Sequence, residues 1–349
     1  MRGEFRPSPK AGPGQQKGAA IVAAMLVMTL AALLVAGLIW RANVQIRRVE
    51  AQRLVDQAEW IERGAVDWSR VVLRSTGDAA PTVDYIGQVW SLPIAQTRLS
   101  DFLTQIGAAR AQEGAATYLS GNVEDLESRF NLRNLVTSTV PGVTTINVNA
   151  VQAYARLLGF VGVNPALANV TAQRMQLTAT TLNSSLAGLN VSGSPAAVAA
   201  AGVPMPSANT PLAINSLDQL LDVPGYNPAI LAVLAPYVTI LPVSTPVNAN
   251  TTSAQVLAAV VPGLTLSAAQ SAIASRGQAY FRSTGDVSNI LRASGIQTAD
   301  VSALDVKSHF FVVHAKVRHE RAEIDRDTLL FRTGVVPNAT SIVSTRDEL

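Results

Sequence analysis

Three histidines are the residues in this chain best suited to metal binding or acid–base chemistry, and they follow at steps of five: His309, His314 and His319. The surrounding segment, HFFVVHAKVRHE, alternates apolar and polar residues and so predicts a β-strand. On a straight strand His309 and His319 share a face but lie about 33 Å apart, at roughly 3.3 Å per residue. One metal ion cannot bind both, so we expect these histidines to be solvated or paired across strands.

Acidic residues and sequence motifs give no sign of an enzyme. Glu124, Asp125 and Glu127 are close in sequence, but adjacent acids in a loop are usually only solvated, as we expect here. The sequence contains no G-x-S-x-G elbow, P-loop or H-E-x-x-H motif. Because it has no cysteine, thiol nucleophiles, disulfides and Cys-based zinc sites are excluded. We therefore predict no catalytic residues.

The middle of the chain carries very little charge. Between Leu135 and Ser275 the charged residues are Arg156, Arg174, Asp218 and Asp222. The whole chain is 48% apolar and 15% charged, which is not the composition of a typical disordered protein. A net charge of +3 gives little support for nucleic-acid binding. This composition indicates a region that packs and makes contacts.

An apolar run lies near the N-terminus, from Ala19 to Trp40, and the rest of the chain follows it. As a helix it would span roughly 33 Å at about 1.5 Å per residue, enough to cross a bilayer. Cleaved secretory signals have shorter apolar regions, so a retained anchor is favoured. The leader is basic, with Arg2, Arg6, Lys10 and Lys17 against Glu4, and this favours a cytoplasmic N-terminus.

The same helix is predicted to continue past the anchor, because no proline occurs between Lys17 and Pro81. Apolar residues recur there at helical spacing among Arg, Gln and Glu: Val44, Ile46, Val49, Leu54, Ala58, Ile61, Ala65, Trp68 and Val72. We predict one helix of about 55 residues whose rear half lies along a globular domain.

Short strands are predicted at 84–93 and 115–123, while 98–112 fits either a strand or a helix. Residues 309–320 and 322–334 predict an antiparallel hairpin with Phe311, Val313, Ala315 and Val317 on one face. A helical block separates these two sheet elements, and we expect the tail 335–349 to be loose. The predicted fold is α+β: the long helix packs on a small antiparallel sheet, with an all-α domain inserted.

Within the helical block, Asn147 is a predicted helix cap, and the neutral stretch 174–215 is predicted to be a long loop. Residues 216–238 and 250–277 resemble each other, each with a Val-Pro-Gly turn between two predicted helices. Such helix-hairpin-helix repeats can bind DNA phosphates, but the nearest positive charge is Arg276. Packing of helix pairs is therefore favoured over DNA binding.

A basic leader ending in Gly18, followed at once by an apolar run that opens a long helix, resembles type IV prepilins and type II secretion pseudopilins. Mature position 5 would be Ala23 where most pilins have Glu, a departure typical of the minor pseudopilin protein K family. The element Arg129-Phe130-Asn131-Leu132, with Asn134 and Leu135, is similar to that family's motif, although Arg133 stands where Asn is usual. The segments VNANTTSAQVL and VPGLT also resemble the family's inserted helical domain.

The resemblance implies cleavage by prepilin peptidase between Gly18 and Ala19, with N-methylation of Ala19. It implies a leader at 1–18, a transmembrane segment at 19–40, a pilin-like domain at 41–136 and 301–334, an inserted helical domain at 137–300 and a tail at 335–349. We predict no cofactor, and calcium is the one that the resemblance allows. Calcium is known in some relatives, but the segment 174–215, where relatives often carry aspartates, has no acidic residue here.

By resemblance the chain would be a non-enzymatic minor pseudopilin at the tip of the type II secretion pseudopilus, supporting assembly and export of folded proteins. Its partners would be other minor pseudopilins, the major pseudopilin and prepilin peptidase, with no nucleic acid. It would span the inner membrane once, with most of the chain in the periplasm. The alternative is a signal-anchored periplasmic module that binds a peptide or DNA through its helix-hairpin-helix repeats.

Overall fold

The computed structural model describes residues 17–105, 107, 117–140, 143–189, 213–293, 296 and 300–347. One helix, α1 (Lys17–Ala79, 63 residues), would measure about 95 Å at about 1.5 Å per residue. The predicted single long helix is confirmed and is somewhat longer than expected. It ends two residues before Pro81, which cannot continue a helix.

The segment after α1 is less regular than predicted. The strand expected at 84–93 is wrong: Gly87 has φ +114°, and a 3₁₀ helix (Val89–Ser91) replaces it. Strand β1 (Ile94–Arg98) begins only after Pro93. Within 98–112, residues Leu99–Gln105 form helix α2, and the rest lies largely outside the described residues. Strand β2 (Thr117–Asp125) confirms the strand predicted at 115–123.

A series of short turns and strands leads into the helical block. After β2 come a 3₁₀ helix (Leu126–Ser128), β3 (Phe130–Asn131), a second 3₁₀ helix (Leu132–Leu135), and a hairpin of β4 (Val136–Val140) and β5 (Val143–Ile146). Helix α3 (Val148–Phe160) begins at Asn147, whose side chain accepts from the Ala150 N–H, so the predicted cap is confirmed.

Helix α4 (Leu167–Leu189) corrects the prediction of a loop at 174–215 for its first sixteen residues. Ala168, Ala172 and Met175 are buried, and no proline or glycine occurs from 166 to 187. Threonines fit the helix because their hydroxyls donate back one turn, as Thr171 does to Leu167 O at 2.8 Å. Residues 190–212 of the predicted loop lie outside the described residues.

The remainder of the block is helical with short extended pieces. Its elements are a 3₁₀ helix (Leu217–Asp222), α5 (Pro228–Leu234), β6 (Val238–Thr239), β7 (Val247–Asn248), α6 (Ala254–Val260), α7 (Leu266–Gln278), α8 (Thr284–Ala293) and β8 (Leu304–Asp305). The second predicted repeat is a pair of α-helices, whereas the first begins with a 3₁₀ helix. Helix-hairpin-helix repeats are therefore not confirmed.

The chain ends in three antiparallel strands: β9 (Phe310–His319), β10 (Ala322–Arg332) and β11 (Thr340–Asp347). The predicted β9–β10 hairpin is confirmed, with Glu320 at φ 51° in its turn. The prediction of a loose tail is wrong for β11, which pairs with β10 and is also bonded to α1, since Arg70 Nη2 donates to Thr340 O at 2.9 Å.

In the described chain the main sheet has the order β1-β2-β9-β10-β11. Strands β2 and β9 are neighbours although the helical block separates them in sequence, as the predicted inserted architecture requires. The α+β fold with a long helix on a small antiparallel sheet is confirmed. No observation tests the predicted domain boundaries, which stay predictions.

Helix α1 packs on the sheet with its rear part only. Ala58, Val66 and Leu73 are buried against the face that carries Phe311 and Val317. The prediction that Val44, Ile46 and Val49 also lie on the domain is wrong: all three are exposed. At the hairpin end of the sheet, Gln57 of α1 contacts His319 Nε2 at 3.0 Å. Every residue of α1 from Ala20 to Arg53 is exposed.

Candidate functional site

The most unusual surface of the molecule is the front of α1. Every residue from Ala20 to Arg53 is exposed, including large apolar side chains such as Met28 and Trp40 at more than 70%. In the described part of the chain this is the helix that is long and apolar enough to cross a membrane. Water does not stabilise such a surface, so lipid or other helices must cover it.

Both predicted processing residues lie at the start of α1, which begins at Lys17. Gly18 and Ala19 precede the exposed apolar face from Ala20 to Leu38, which was predicted to serve assembly. The backbone is helical at both positions, and their side chains lie outside the described set. Their role in cleavage stays a prediction.

A buried ion pair fixes the far end of α1 to the sheet. Arg332, on β10, pairs through Nη2 with Asp84 Oδ2, and both side chains are almost fully buried. The same guanidinium donates to Leu73 O at 3.2 Å and Ser308 O at 2.8 Å, and it lies 4.8 Å from the centroid of the Phe311 ring. A buried cation needs such partners because its transfer from water is costly.

A second buried carboxylate connects the helical block to the sheet. Asp125 Oδ2 accepts from Ser308 Oγ and Thr251 Oγ1 at 2.6 Å each and from Asn248 Nδ2 at 3.1 Å. Asn248 Nδ2 also donates to Asp84 O at 3.2 Å, so both carboxylate-bearing segments meet there. Burial raises the pKa of Asp125 to about 7, the charge of Glu127 adds to this, and the hydroxyl donors oppose it.

Glu127 accepts hydrogen bonds from backbone N–H groups at the start of β9. Its Oε1 accepts from the backbone N–H of His309 at 2.9 Å and of Phe310 at 3.2 Å. The expectation that Glu124, Asp125 and Glu127 are merely solvated is therefore wrong for Asp125 and Glu127, which are buried. We call Asp84, Asp125, Glu127, Asn248, Ser308 and Arg332 the junction network.

The residues that carry the family resemblance form a second attachment point. Asn131 Nδ2 donates to Val243 O at 2.8 Å, and its Oδ1 accepts from Leu241 N at 3.2 Å and Arg133 N at 3.0 Å. Asn134 exchanges two bonds with the backbone of Thr245. Phe130, Leu132 and Leu135 are buried in the core of the helical block. As predicted, these asparagines act through their side chains and are structural.

His314 and His319 are paired with side chains of neighbouring strands, which is one of the two arrangements that the sequence predicted. His314 Nδ1 contacts Asp327 Oδ1 at 2.5 Å, and Nε2 contacts Glu124 Oε2 at 3.4 Å. Asp327 first and Glu124 second raise the pKa of His314 to about 9. His319 Nδ1 contacts Thr117 Oγ1 at 2.7 Å. Among the described residues, no three His, Asp or Glu side chains are placed to hold a metal ion.

Arg276, the nearest positive charge to the Val-Pro-Gly turns, has a structural role. Arg276 Nη1 donates to the backbone oxygens of Ala249 at 2.7 Å and Thr252 at 2.8 Å, so this nitrogen is used in packing the helical block. In the two turns the glycines have positive φ, +99° at Gly225 and +79° at Gly263. These contacts favour the packing interpretation of the Val-Pro-Gly segments.

The sequence analysis missed Asp84, Arg332, Asn248 and Ser308. One signal was available: Arg332 follows Thr328 and Leu330 at alternate positions of β10, so it occupies the core face of a strand. A charge on that face requires a buried partner. The sequence alone could not identify Asp84, which is 248 residues away.

Comparison with known proteins gives a consistent result. Residues 128–243 and 247–307 match family models described as type II secretion system (T2SS), protein K, and together these matches span half of the chain. The chain is 26% identical over 340 residues to the type II secretion system protein K of Pseudomonas aeruginosa, covering 90% of this chain and 88% of that protein. It is 24% identical over 337 residues to that of Pectobacterium carotovorum subsp. carotovorum, covering 92% and 94%.

A solved structure shows the same fold. A chain in the crystal structure of the GspK-GspI-GspJ complex from the enterotoxigenic Escherichia coli type 2 secretion system matches with a TM-score of 0.56 at 18% identity. The match covers 86% of this chain and 99% of that chain. The arrangement of helix, sheet and helical block is therefore shared with a protein of known structure.

Proposed function

Because the chain belongs to the type II secretion system protein K family, we propose that it is a minor pseudopilin placed at the tip of the pseudopilus. In this role it supports assembly of the pseudopilus and export of folded proteins across the outer membrane. Its contribution is structural rather than enzymatic, since the polar clusters described above hold the fold together.

The observation that carries this proposal is the uncovered front of α1. The thirteen residues beyond Trp40, up to Arg53, are also exposed. A simple membrane anchor needs only the apolar run, whereas a helix that extends further offers Ile46 and Val49 to neighbouring helices. The helix first lies in the inner membrane and then packs against partner helices.

Partners follow from the same argument. The complex in the related solved structure contains GspI and GspJ, so we take homologues of these two proteins as the nearest partners, with the major pseudopilin beneath them. The helical block is a bulky addition that is hard to accommodate on a repeating subunit. This favours the tip, where the subunit is added once.

Topology follows from the charges of the leader. Arg2, Arg6, Lys10 and Lys17 hold the N-terminus in the cytoplasm, and the globular part then lies in the periplasm. Prepilin peptidase cleaves after Gly18 on the cytoplasmic side, and Ala19 becomes the methylated N-terminus. The DNA-binding alternative is disfavoured because Arg276, the nearest positive charge to the Val-Pro-Gly turns, bonds to the backbone oxygens of Ala249 and Thr252.

Mass spectrometry of the mature N-terminus tests this proposal in cells with and without prepilin peptidase. We expect N-methylated Ala19 in the first and an intact leader in the second. Gly18→Ala should block cleavage and reduce secretion, whereas Gly64→Ala, in the same helix but beyond the apolar face and with nothing within 4 Å of its added Cβ outside the helix backbone, should leave both unchanged. An intact leader in cells that process other pseudopilins, or a mature N-terminus beyond Trp40, would refute the proposal.

A further inference from the structure

The segment 84–93 holds large aliphatic side chains in solvent. Ile86, Val89 and Leu92 are 63%, 63% and 61% exposed. Leu92 caps the 3₁₀ helix Val89–Ser91, its N–H donates to Val89 O, and both side chains line the same cavity. Exposed apolar residues on a loop are a common feature of protein contact sites.

This segment is rigid. Trp90 is buried beneath it, and its Nε1 donates to Gln88 Oε1 at 2.6 Å. Ser91 Oγ accepts from Gly87 N at 2.9 Å and donates to Gln88 O at 2.8 Å. The ring of Tyr85 stacks on that of Tyr280 at 3.9 Å between centroids. A loop fixed in this way loses little entropy when it binds, which favours affinity.

Val89 and Leu92 form the rim of an apolar cavity of about 230 Å³. Its walls come from α1, α2 and the sheet, and include Trp68, Val72, Trp90, Phe102 and Leu119. Because the two rim residues are exposed, the cavity reaches the surface between them. An apolar cavity of about 150 Å³ can hold benzene, so this one is large enough for an aromatic or leucine side chain.

The position and charge of the cavity define its occupant. Val72 lies 32 residues beyond Trp40 on one continuous helix, or about 48 Å, which is too far from the bilayer for contact with lipid. His314 is the one ionisable residue in its lining, and its ring bonds to Asp327 and Glu124. The walls are otherwise neutral, so a neutral apolar group fits.

We propose that this cavity and its rim, Val89 and Leu92, are a docking pocket for an apolar side chain from the globular domain of a neighbouring pseudopilin. The inference rests on the proposed function: subunits that pack through parallel helices bring their globular domains to the same height. The neighbour then inserts an aromatic or leucine side chain between α1 and the 84–93 segment.

The test uses the full chain, co-expressed with its GspI and GspJ homologues and purified in detergent. Val89→Asp and Leu92→Asp should each weaken the complex by about tenfold or more, because a charge opposes burial of the partner side chain. Val243→Asp is the matched control, since Val243 is 53% exposed and does not line the cavity. Thermal unfolding of each variant alone should match the wild type.

A second measurement does not depend on weakened binding. Because the chain has no cysteine, Val89→Cys accepts a single benzophenone maleimide, and Val243→Cys provides the control. Light should link the label at position 89 to an apolar residue of a partner pseudopilin. The docking proposal would be overturned if position 89 were linked only to lipid or to a second copy of this chain, or if both Asp variants bound with unchanged affinity. Either result would leave the proposed function standing. Failure of the processed wild type to assemble would overturn both.

Discussion

Replacement of Asp84 by Asn is the most direct test of the junction network. The substitution keeps the shape of the side chain but removes the charge that faces Arg332. Asp84 Oδ2 also accepts from Ser308 N at 3.0 Å, and an amide oxygen can keep that bond. The variant therefore isolates the loss of the buried carboxylate charge.

The expected cost is about 3–5 kcal/mol in the free energy of unfolding, because the cation of Arg332 remains buried without its counter-ion. Its two bonds to backbone oxygens, at Leu73 and Ser308, remain but carry no full charge. The matched control is Glu323→Gln, which breaks the exposed pair of Lys316 and Glu323 at 2.7 Å. That pair is exposed to solvent, which screens it, so its loss should change the free energy of unfolding little.

Urea unfolding followed by tryptophan fluorescence measures both costs. Trp90 is suited to report on the junction, since its ring lies 5.2 Å from Phe311, the ring beneath Arg332. Adding Arg332→Met to Asp84→Asn should recover part of the loss, because an apolar side chain of similar length needs no counter-ion. A cost of Asp84→Asn no larger than that of Glu323→Gln, or no recovery in the double variant, would refute this reasoning.

Three further predictions concern the sheet and its attachment. Gly121→Ala should lower the unfolding temperature and cost about 1–3 kcal/mol in the free energy of unfolding, because the new Cβ would lie 2.3 Å from His314 O. Gly64→Ala is its control: nothing lies near the new Cβ, and the variant should stabilise α1 by about 0.5–1 kcal/mol. The pKa of His314 rises on folding from 6.5 to about 9, so its contribution to the free energy of unfolding is complete below pH 6.5 and is lost as the pH rises through about 9. His314→Gln should therefore flatten the dependence of stability on pH over this range, and an unchanged dependence would contradict the pairing with Asp327. Asn131→Ala should cost about 1–3 kcal/mol or more in urea unfolding, because buried backbone groups lose their partners, and a neutral effect would show that Asn131 is not an attachment point.

Local patterns predicted the elements whose cause is local. The absence of proline predicted α1, and alternation predicted β9 and its buried face of Phe311, Val313, Ala315 and Val317, although Phe310 and Val312 on the other face are buried as well. The Asn147 cap was likewise visible. In each case the signal and the structure lie within a few residues of one another, so the sequence carries the information directly.

The failures share a different cause. The tail was expected to be loose, and residues 340–347 do bury almost no side chain, but backbone pairing with β10 and the bond from Arg70 order β11. Asp125 and Glu127 looked like surface acids because their donors come from Ser308, Thr251 and the start of β9, more than 120 residues away. Long-range partners of this kind leave no local pattern.

The position of these carboxylates explains why charge, rather than apolar packing, occupies the junction. The chain leaves the sheet at the end of β2 and returns at the start of β9, and at that point backbone N–H groups have no strand partner. Glu127 accepts from His309 and Phe310, and Asp84 accepts from Ser308, so carboxylates replace the missing strand. Buried N–H groups must be paired, and apolar side chains cannot do this. A third carboxylate, that of Asp125, accepts from Asn248 and Thr251 of the helical block, so the block is bonded to the sheet that lies on α1. In the proposed position at the tip, a force on the helical block would then act directly on α1.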